Sequence, residues 1–328
     1  MTFSRILGTG SYLPPNILTN ADWEKRVDTT DKWIFERTGI RSRHIATSET
    51  ASEMGALAAR EALQAAGVAT NEIDLIIVST GTPDKIFPST ACLIQKELNI
   101  PICPALDIQA ACSGFIYALS IADKFIKTGA AKKALVVGTE LMSRLMDWTD
   151  RKTCVLFGDG SGAVVLGEDD TTGVLFTKLY ADGKYADILS VDNTQCASRS
   201  KALCADTITA DISPYLHMEG QRVFKLAVNT FDSMVQDIQN ELHLELQDID
   251  WLIPHQANTR IIQAAADKLG LPKEKVVMTV ETQGNTSSAS IPLALDHAVR
   301  SGDVQRGQLL LMEAFGGGLT WGSALLRF

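Results

Sequence analysis

Three polar side chains stand in settings that could do chemistry: Cys112 in DIQAACSGFIYAL (107–119), His255 in IPHQAN (253–258) and Asn285 in QGNTSSAS (283–290). Cys112 lies between Ala110 and Ala111 on one side and Ser113 and Gly114 on the other, and apolar residues at helical spacing, Phe115, Leu119 and Ala122, follow it. A thiol at the first turn of a helix meets unpaired N–H groups and the positive end of the dipole. That setting favours the thiolate, the form that acts as a nucleophile. The small flanking side chains leave room for a substrate, although a lone cysteine also fits a small buried hydrophobe. His255 follows directly on a buried-strand run, at the carboxyl end where ligands gather on open α/β sheets. It equally fits a structural histidine. Asn285 taken alone reads as a turn residue or a helix cap. The glycines 316–318 of EAFGGGLTWGSALL, like those of FGDGSGAVVL (157–166), fit a tight turn or a place where backbone N–H groups approach a ligand oxygen.

The elements that must position these residues repeat. EIDLIIVSTGTPD (72–84) and DIDWLIPHQANTR (248–260) each set an acidic residue, Ile and Asp before an apolar burst that fits a buried strand. Helical patterns precede both, ASEMGALAAREALQAAG in the first case and FKLAVNTFDSMVQDIQNEL in the second. Cys112 lies 38 residues beyond Asp74 and Asn285 lies 35 residues beyond Asp250, which places the two in matching slots. AACSGFIYALSIA parallels GNTSSASIPLALDHA, and the strand runs KALVVGTEL and QLLLMEAFGGG follow. Alternating strand and helix in both halves predicts an α/β fold of right-handed βαβ units with mostly parallel sheets. A tandem duplication, divided at 1–172 and 173–328, brings Cys112 and Asn285 together near a pseudo-twofold axis.

The 328 residues carry a formal net charge of −9, which argues against nucleic acid as a general partner. No stretch is long and apolar enough for a membrane span, and the N-terminus has no apolar core behind a basic start, so a cytoplasmic protein is expected. The six cysteines show no C-x-x-C pair or zinc-site spacing, so reduced thiols and no metal are expected.

Taken together, Cys112, His255, Asn285 and the glycine run resemble the thiolase-fold condensing enzymes, and among them the β-ketoacyl-acyl-carrier-protein synthase III family. The resemblance runs from ILGTGSYLPPNILTN through DKWIFERTGIRSRH, FPSTAC, QAACSGF, GDGSGAVVL, PHQAN and GNTSSAS to EAFGGGLTWGSALLRF, essentially the whole chain. Elongating ketoacyl synthases pair the cysteine with two histidines, and degradative thiolases carry a second cysteine near the C-terminal glycines, where this chain has Phe315. Both relatives are disfavoured.

The resemblance implies an internally duplicated, five-layer αβαβα architecture. It implies an acyltransferase that condenses a short acyl-CoA with malonyl-acyl-carrier protein through an acyl group on Cys112. His255 and Asn285 then stabilise the enolate, and the N–H groups of Cys112 and Gly317 form the oxyanion hole. No cofactor is expected beyond the coenzyme A thioester substrate, which Trp33, Arg37, Thr38 and Arg151 would hold. Phe87, reaching across a homodimer interface, and Phe315 would bound the acyl pocket. Lys225, Arg260 and Lys268 would dock the acidic carrier, with Asp267 weakening the patch beside Lys268. A condensing enzyme for a specialised product with a longer or different primer, or a relative that binds the carrier without turnover, are the alternatives. One departure from the family pattern is the long, irregular stretch from Gly183 to Pro214, which reads as a loop insertion holding Cys196 and Cys204.

Overall fold

A computed structural model describes residues 2–193 and 213–328. The first half contains β1 (Phe3–Tyr12), β2 (Ile17–Thr19), α1 (Asn20–Glu24), α2 (Asp31–Thr38), β3 (Ser42–His44), α3 (Ala51–Ala66), β4 (Leu75–Ser79), α4 (Thr90–Leu98), β5 (Ala105–Ile108), α5 (Gly114–Lys127), β6 (Lys133–Leu141) and β7 (Asp159–Asp169). The second contains β8 (Val174–Ala181), β9 (Leu189–Ser190), β10 (His217–Met218), α6 (Gly220–Leu242), β11 (Trp251–Pro254), α7 (Thr259–Leu269), α8 (Val280–Gln283), α9 (Ser290–Ser301), β12 (Leu309–Gly316) and β13 (Thr320–Arg327).

Local chemistry sets many of these bounds. Thr50 and Glu53 cap the start of α3 reciprocally, each side chain accepting the other's backbone N–H, and Gly67 ends the helix in the left-handed region. The alanine-rich face of α3 then lies so close to β1 that a Cβ at Gly8 would stand 2.4 Å from Ala66 N, and one at Gly10 2.3 Å from Ala58 O. The small residues of ILGTGSY are therefore what let helix and strand touch.

The strands form a five-stranded sheet in the order β1-β7-β6-β4-β5 and a four-stranded sheet in the order β11-β12-β13-β8. In the first, β7 runs against the common direction of the other four strands; in the second, β13 does the same against the other three. The parallel strands are apolar on both faces because helices cover both, as Leu75–Ser79, buried throughout, illustrates. Three packed layers of side chains result. One joins α3 and α4 to the first sheet, a second joins α6 and α7 to the other, and a central one packs α5 and α9 between the sheets. This is the five-layer αβαβα arrangement. The first sheet draws on residues 3–169 and the second on 174–327, yet both share that central layer, so the halves are one packed body.

The repeat is visible in the backbone, with one correction to the sequence alignment. The 3₁₀ turns Ala111–Ser113 and Ser287–Ala289 both open with a residue at positive φ, Ala111 at 45° and Ser287 at 50°. Cys112 therefore corresponds to Ser288, which lies 38 residues beyond Asp250, and not to Asn285. Asn285 sits three residues earlier, on the loop that delivers this turn. A further parallel is the Ile76–Ala105 pair between β4 and β5, matched by an isolated parallel bridge from Leu252 to Val276.

Part of the Gly183–Pro214 stretch is ordered where a plain loop was expected. Gly183–Ile188 forms a 3₁₀ segment, and β9 pairs antiparallel with β10. Residues 194–212, with Cys196 and Cys204, lie outside the described residues.

Candidate active site

Between the end of β5 and the start of α5 the chain makes its 3₁₀ turn, and Cys112 sits at the centre of it, buried. The end of β12 passes directly behind. A Cβ on Gly316 would stand 2.6 Å from Cys112 N and 3.1 Å from Cys112 Cβ, so glycine alone fits there. The neighbouring Gly317 lines the same cavity as the thiol and lies beside Ala111. Burial pushes the Cys112 thiol up to about 12, with the nearby Glu140 carboxylate adding to the rise and a hydrogen bond from Ser287 opposing it. Desolvation thus outweighs the helix-start effect that the sequence suggested.

His255 lies at the carboxyl end of β11, anchored by its backbone N–H donating to Glu313 O at 2.8 Å. The ring Nδ1 is 2.7 Å from Ser290 Oγ, and that oxygen also accepts the Gln256 N–H at 3.2 Å. With an incoming N–H on its oxygen, the Ser290 hydroxyl is placed to donate to Nδ1. In that orientation the imidazole proton sits on Nε2. Burial holds the imidazole neutral, its pKa lowered to about 3.

Asn285 is fixed in a similar way. Its Oδ1 accepts the Ser287 N–H at 2.9 Å, and its backbone bonds Leu156 O and Gly158 N, which leaves the side-chain NH₂ free to donate. Gln256 clamps the surrounding loops, donating to Pro254 O and Val277 O and accepting from Thr279 N and Val280 N. The site thus offers one thiol and two side-chain N–H donors on rigidly held backbone.

Two buried carboxyls escaped the sequence reading. Glu140, at the end of β6, accepts from Gly81 N, Thr82 Oγ1, Ser287 Oγ and Ser288 Oγ, and so ties the loop after β4 and the turn before α9 to its own strand. Glu313 lies on β12, and its carboxyl is pushed up to about 8 by burial. The local signals were present, a charged residue inside each of the apolar runs KALVVGTEL and QLLLMEAFGGG, but the partners are far away in sequence.

A cavity of about 1240 Å³ joins Cys112, His255 and Asn285 to Phe315 and Gly317, and extends to Trp33, Arg37, Thr38 and Arg260. Trp33 is flanked by two guanidinium groups, Arg37 at 4.6 Å and Arg151 at 5.3 Å from the ring centroid, while Arg151 also bonds Asp28. The Thr38 hydroxyl is spent on its own helix end, donating to Ile34 O and accepting from Ile40 N. Leu189, Ser190 and Val191, from the stretch that departs from the family pattern, line the cavity too.

Lys225, Arg260 and Lys268 are all exposed, on α6 and α7. Lys268 pairs with Asp232 of α6 at 2.9 Å, whereas Asp267 accepts from Gln263 at 2.7 Å. The acidic neighbour that the sequence put beside Lys268 is therefore engaged elsewhere. Phe87 stands apart from this chain's cavity and is 83 % exposed, while Phe315 is buried in the cavity wall.

Comparison with known proteins agrees with this geometry. Residues 106–183 match the family model for 3-oxoacyl-[acyl-carrier-protein] synthase III, and residues 240–328 match the model for its C-terminal part. The chain is 56 % identical over 329 residues to the β-ketoacyl-[acyl-carrier-protein] synthase III of Thioalkalivibrio sulfidiphilus, covering 100 % of both chains. It is 55 % identical over 327 residues to the enzyme of that name from Methylococcus capsulatus, covering 99 % of each. Among solved structures, the 3-oxoacyl-[acyl-carrier-protein] synthase III of Aquifex aeolicus superimposes with a TM-score of 0.92 at 49 % identity, over 99 % of this chain and 100 % of that one.

Proposed function

The chain belongs to the β-ketoacyl-[acyl-carrier-protein] synthase III family, and on that premise we propose that it catalyses the initiating condensation of type II fatty-acid synthesis. The thiolate of Cys112 attacks the carbonyl of a short acyl-CoA, acetyl-CoA being the expected primer. The oxyanion is met by the N–H groups of Cys112 and Gly317, and the C–S bond to coenzyme A breaks. Malonyl on the acyl carrier protein then enters. Its carboxylate leaves as CO₂, and the electron pair passes into an enolate whose oxygen accepts from His255 Nε2–H and the Asn285 NH₂. The carbanion attacks the acyl carbonyl, the bond to Cys112 Sγ breaks, and 3-ketoacyl-acyl-carrier protein departs with the thiolate restored.

The observation that carries this reading is the convergence of a buried thiol and two oriented N–H donors in one cavity. A water-poor site suits the chemistry, because it protects a thioester and strengthens each donor. The indole of Trp33 between Arg37 and Arg151 suits a coenzyme A base, which would slide between ring and guanidinium. Arg260, on the cavity wall, with Lys225 on the neighbouring α6, would give an acidic carrier its counter-charges, and Lys268 further along α7 would have to exchange its Asp232 partner to join them. The enzyme needs no cofactor in this scheme and works as a cytoplasmic homodimer. Among the described residues no helix is long and apolar enough to cross a membrane.

Incubation with acetyl-CoA alone tests the first step. An acetyl group should be found on the Cys112 peptide by mass spectrometry and be lost in Cys112→Ala. An unmodified Cys112 peptide would sink the proposal and favour a relative that binds the carrier without turnover.

A further inference from the structure

We propose that Arg43 is a positioning residue for Asn285, holding from behind the loop that presents the Asn285 amide to the enolate. This rests on the reading of Asn285 as an enolate donor and adds what keeps that donor in place. Arg43 is the middle residue of β3, opposite Leu18 of β2, and is fully buried. Its stem is pressed against backbone on both sides of the Asn285 loop: a Cβ built on Gly284, or on Gly158, would stand 3.1 Å from Arg43 Cβ. Between these glycines Asn285 donates its N–H to Leu156 O at 2.9 Å, and its carbonyl accepts the Gly158 N–H at 3.0 Å. The guanidinium reaches on to Val155 O, one residue before Leu156. Stem and head thus grip both the Asn285 loop and the segment it is bonded to.

The charge on Arg43 is what packing alone does not account for. Among the described residues no carboxylate pairs with it, and its Nε has no acceptor. Desolvation lowers its pKa to about 10, so it stays protonated at neutral pH. A buried cation without a counter-charge is costly, and an apolar side chain of similar length would fill the same space without that penalty.

What an apolar side chain lacks is donors. Nη2 donates to Val155 O, and Nη1 donates to Asn20 Oδ1 at 2.9 Å. The Asn20 amide in turn donates to Asp31 Oδ1 at 2.8 Å and to Ile40 O at 2.7 Å, at the start of α2 and just past its end. The Trp23 ring, with its centroid 5.9 Å from the guanidinium carbon, adds a cation–π contact. One buried network therefore ties the Val155–Gly158 segment to α1 and α2, and Asn285 is tied to that segment. These contacts stop short of the Cys112 turn, which leans on Gly316 and, through Ser113, on Thr320.

The two half-reactions separate a positioning role from a general structural one. In single turnovers at saturating acetyl-CoA, Arg43→Gln should acetylate Cys112 at a rate within about twofold of wild type. When protein already acetylated is mixed with malonyl-carrier, the same variant should release CO₂ and form product about tenfold or more slowly, approaching the loss of the Asn285 donor itself. With Asn285→Ala already present, adding Arg43→Gln should slow this step by less than about twofold further, because a residue acting only through Asn285 has nothing left to position. Arg43→Lys keeps the charge and most of the stem; it should recover part of the rate, and it gives the same split if Arg43→Gln does not fold. Equal losses in both half-reactions, or a full further loss in the Asn285→Ala background, would overturn the proposal. An Asn285→Ala protein that condenses like wild type would instead reject the reading of Asn285, so the two failures are distinct.

Discussion

At the scale of single residues, the proposed scheme makes His255 a donor and not a base. Burial lowers its pKa to about 3 from an ordinary 6.5, and a Ser290 hydroxyl donating to Nδ1 leaves the ring proton on Nε2. Decarboxylation of malonyl-carrier should therefore be flat in rate from about pH 6 to 8; an acid limb centred near 6.5 in wild type, absent from His255→Ala, would contradict the assignment. The sign for stability follows from the same shift. The unfolded chain binds a proton that the folded site refuses, so this contribution to stability is whole above about pH 6.5 and drains away as pH falls toward 3. His255→Ala should still take an acetyl group on Cys112 but lose about 10²- to 10³-fold in condensation, the usual cost of one missing donor to a developing oxyanion. Unaltered condensation in a single-turnover assay would reject the division of roles.

At the scale of elements, the site depends on how closely β12 passes behind the nucleophile turn. Gly316→Ala would drive a methyl group into backbone at Cys112 N. Overpacking of this kind costs about 1 to 3 kcal/mol, so the variant should unfold at lower denaturant and lose Cys112 acylation together. A variant of normal stability that acylates at the wild-type rate would show the approach to be dispensable. Much at this scale was legible in the sequence. Apolar runs bounded by helical periodicity marked β4, β6, β11 and β12, and the repeated acidic-Ile-Asp opening exposed the duplication. The partner of Cys112 was mistaken because spacing was counted to a recognisable polar residue. The slot is defined by backbone at positive φ, and Ser288 fills it with a side chain of no obvious chemistry. Glu140 and Gln256 were illegible for a related reason: their hydrogen-bond partners lie on other elements, so only folding reveals what they hold.

At the scale of the whole molecule, the family and the five layers could be read from the chain. Phe87 sits 83 % exposed on the loop before α4, outside its own cavity, which is where a residue reaching into a partner copy would stand. If it closes the partner's acyl pocket, Phe87→Thr should raise kcat/KM for octanoyl-CoA while leaving acetyl-CoA the better substrate of wild type. A wild type that already prefers octanoyl-CoA would reject the gate and point to a specialised condensing enzyme. The most direct test of the central claim is the complete reaction with acetyl-CoA and malonyl-acyl-carrier protein, read by the intact mass of the carrier together with released CO₂. The account predicts 3-ketobutyryl-carrier, formed with equal amounts of CO₂ and free coenzyme A and absent with Cys112→Ala. A carrier that stays malonylated, or one that loses CO₂ without forming the new carbon–carbon bond, would contradict it.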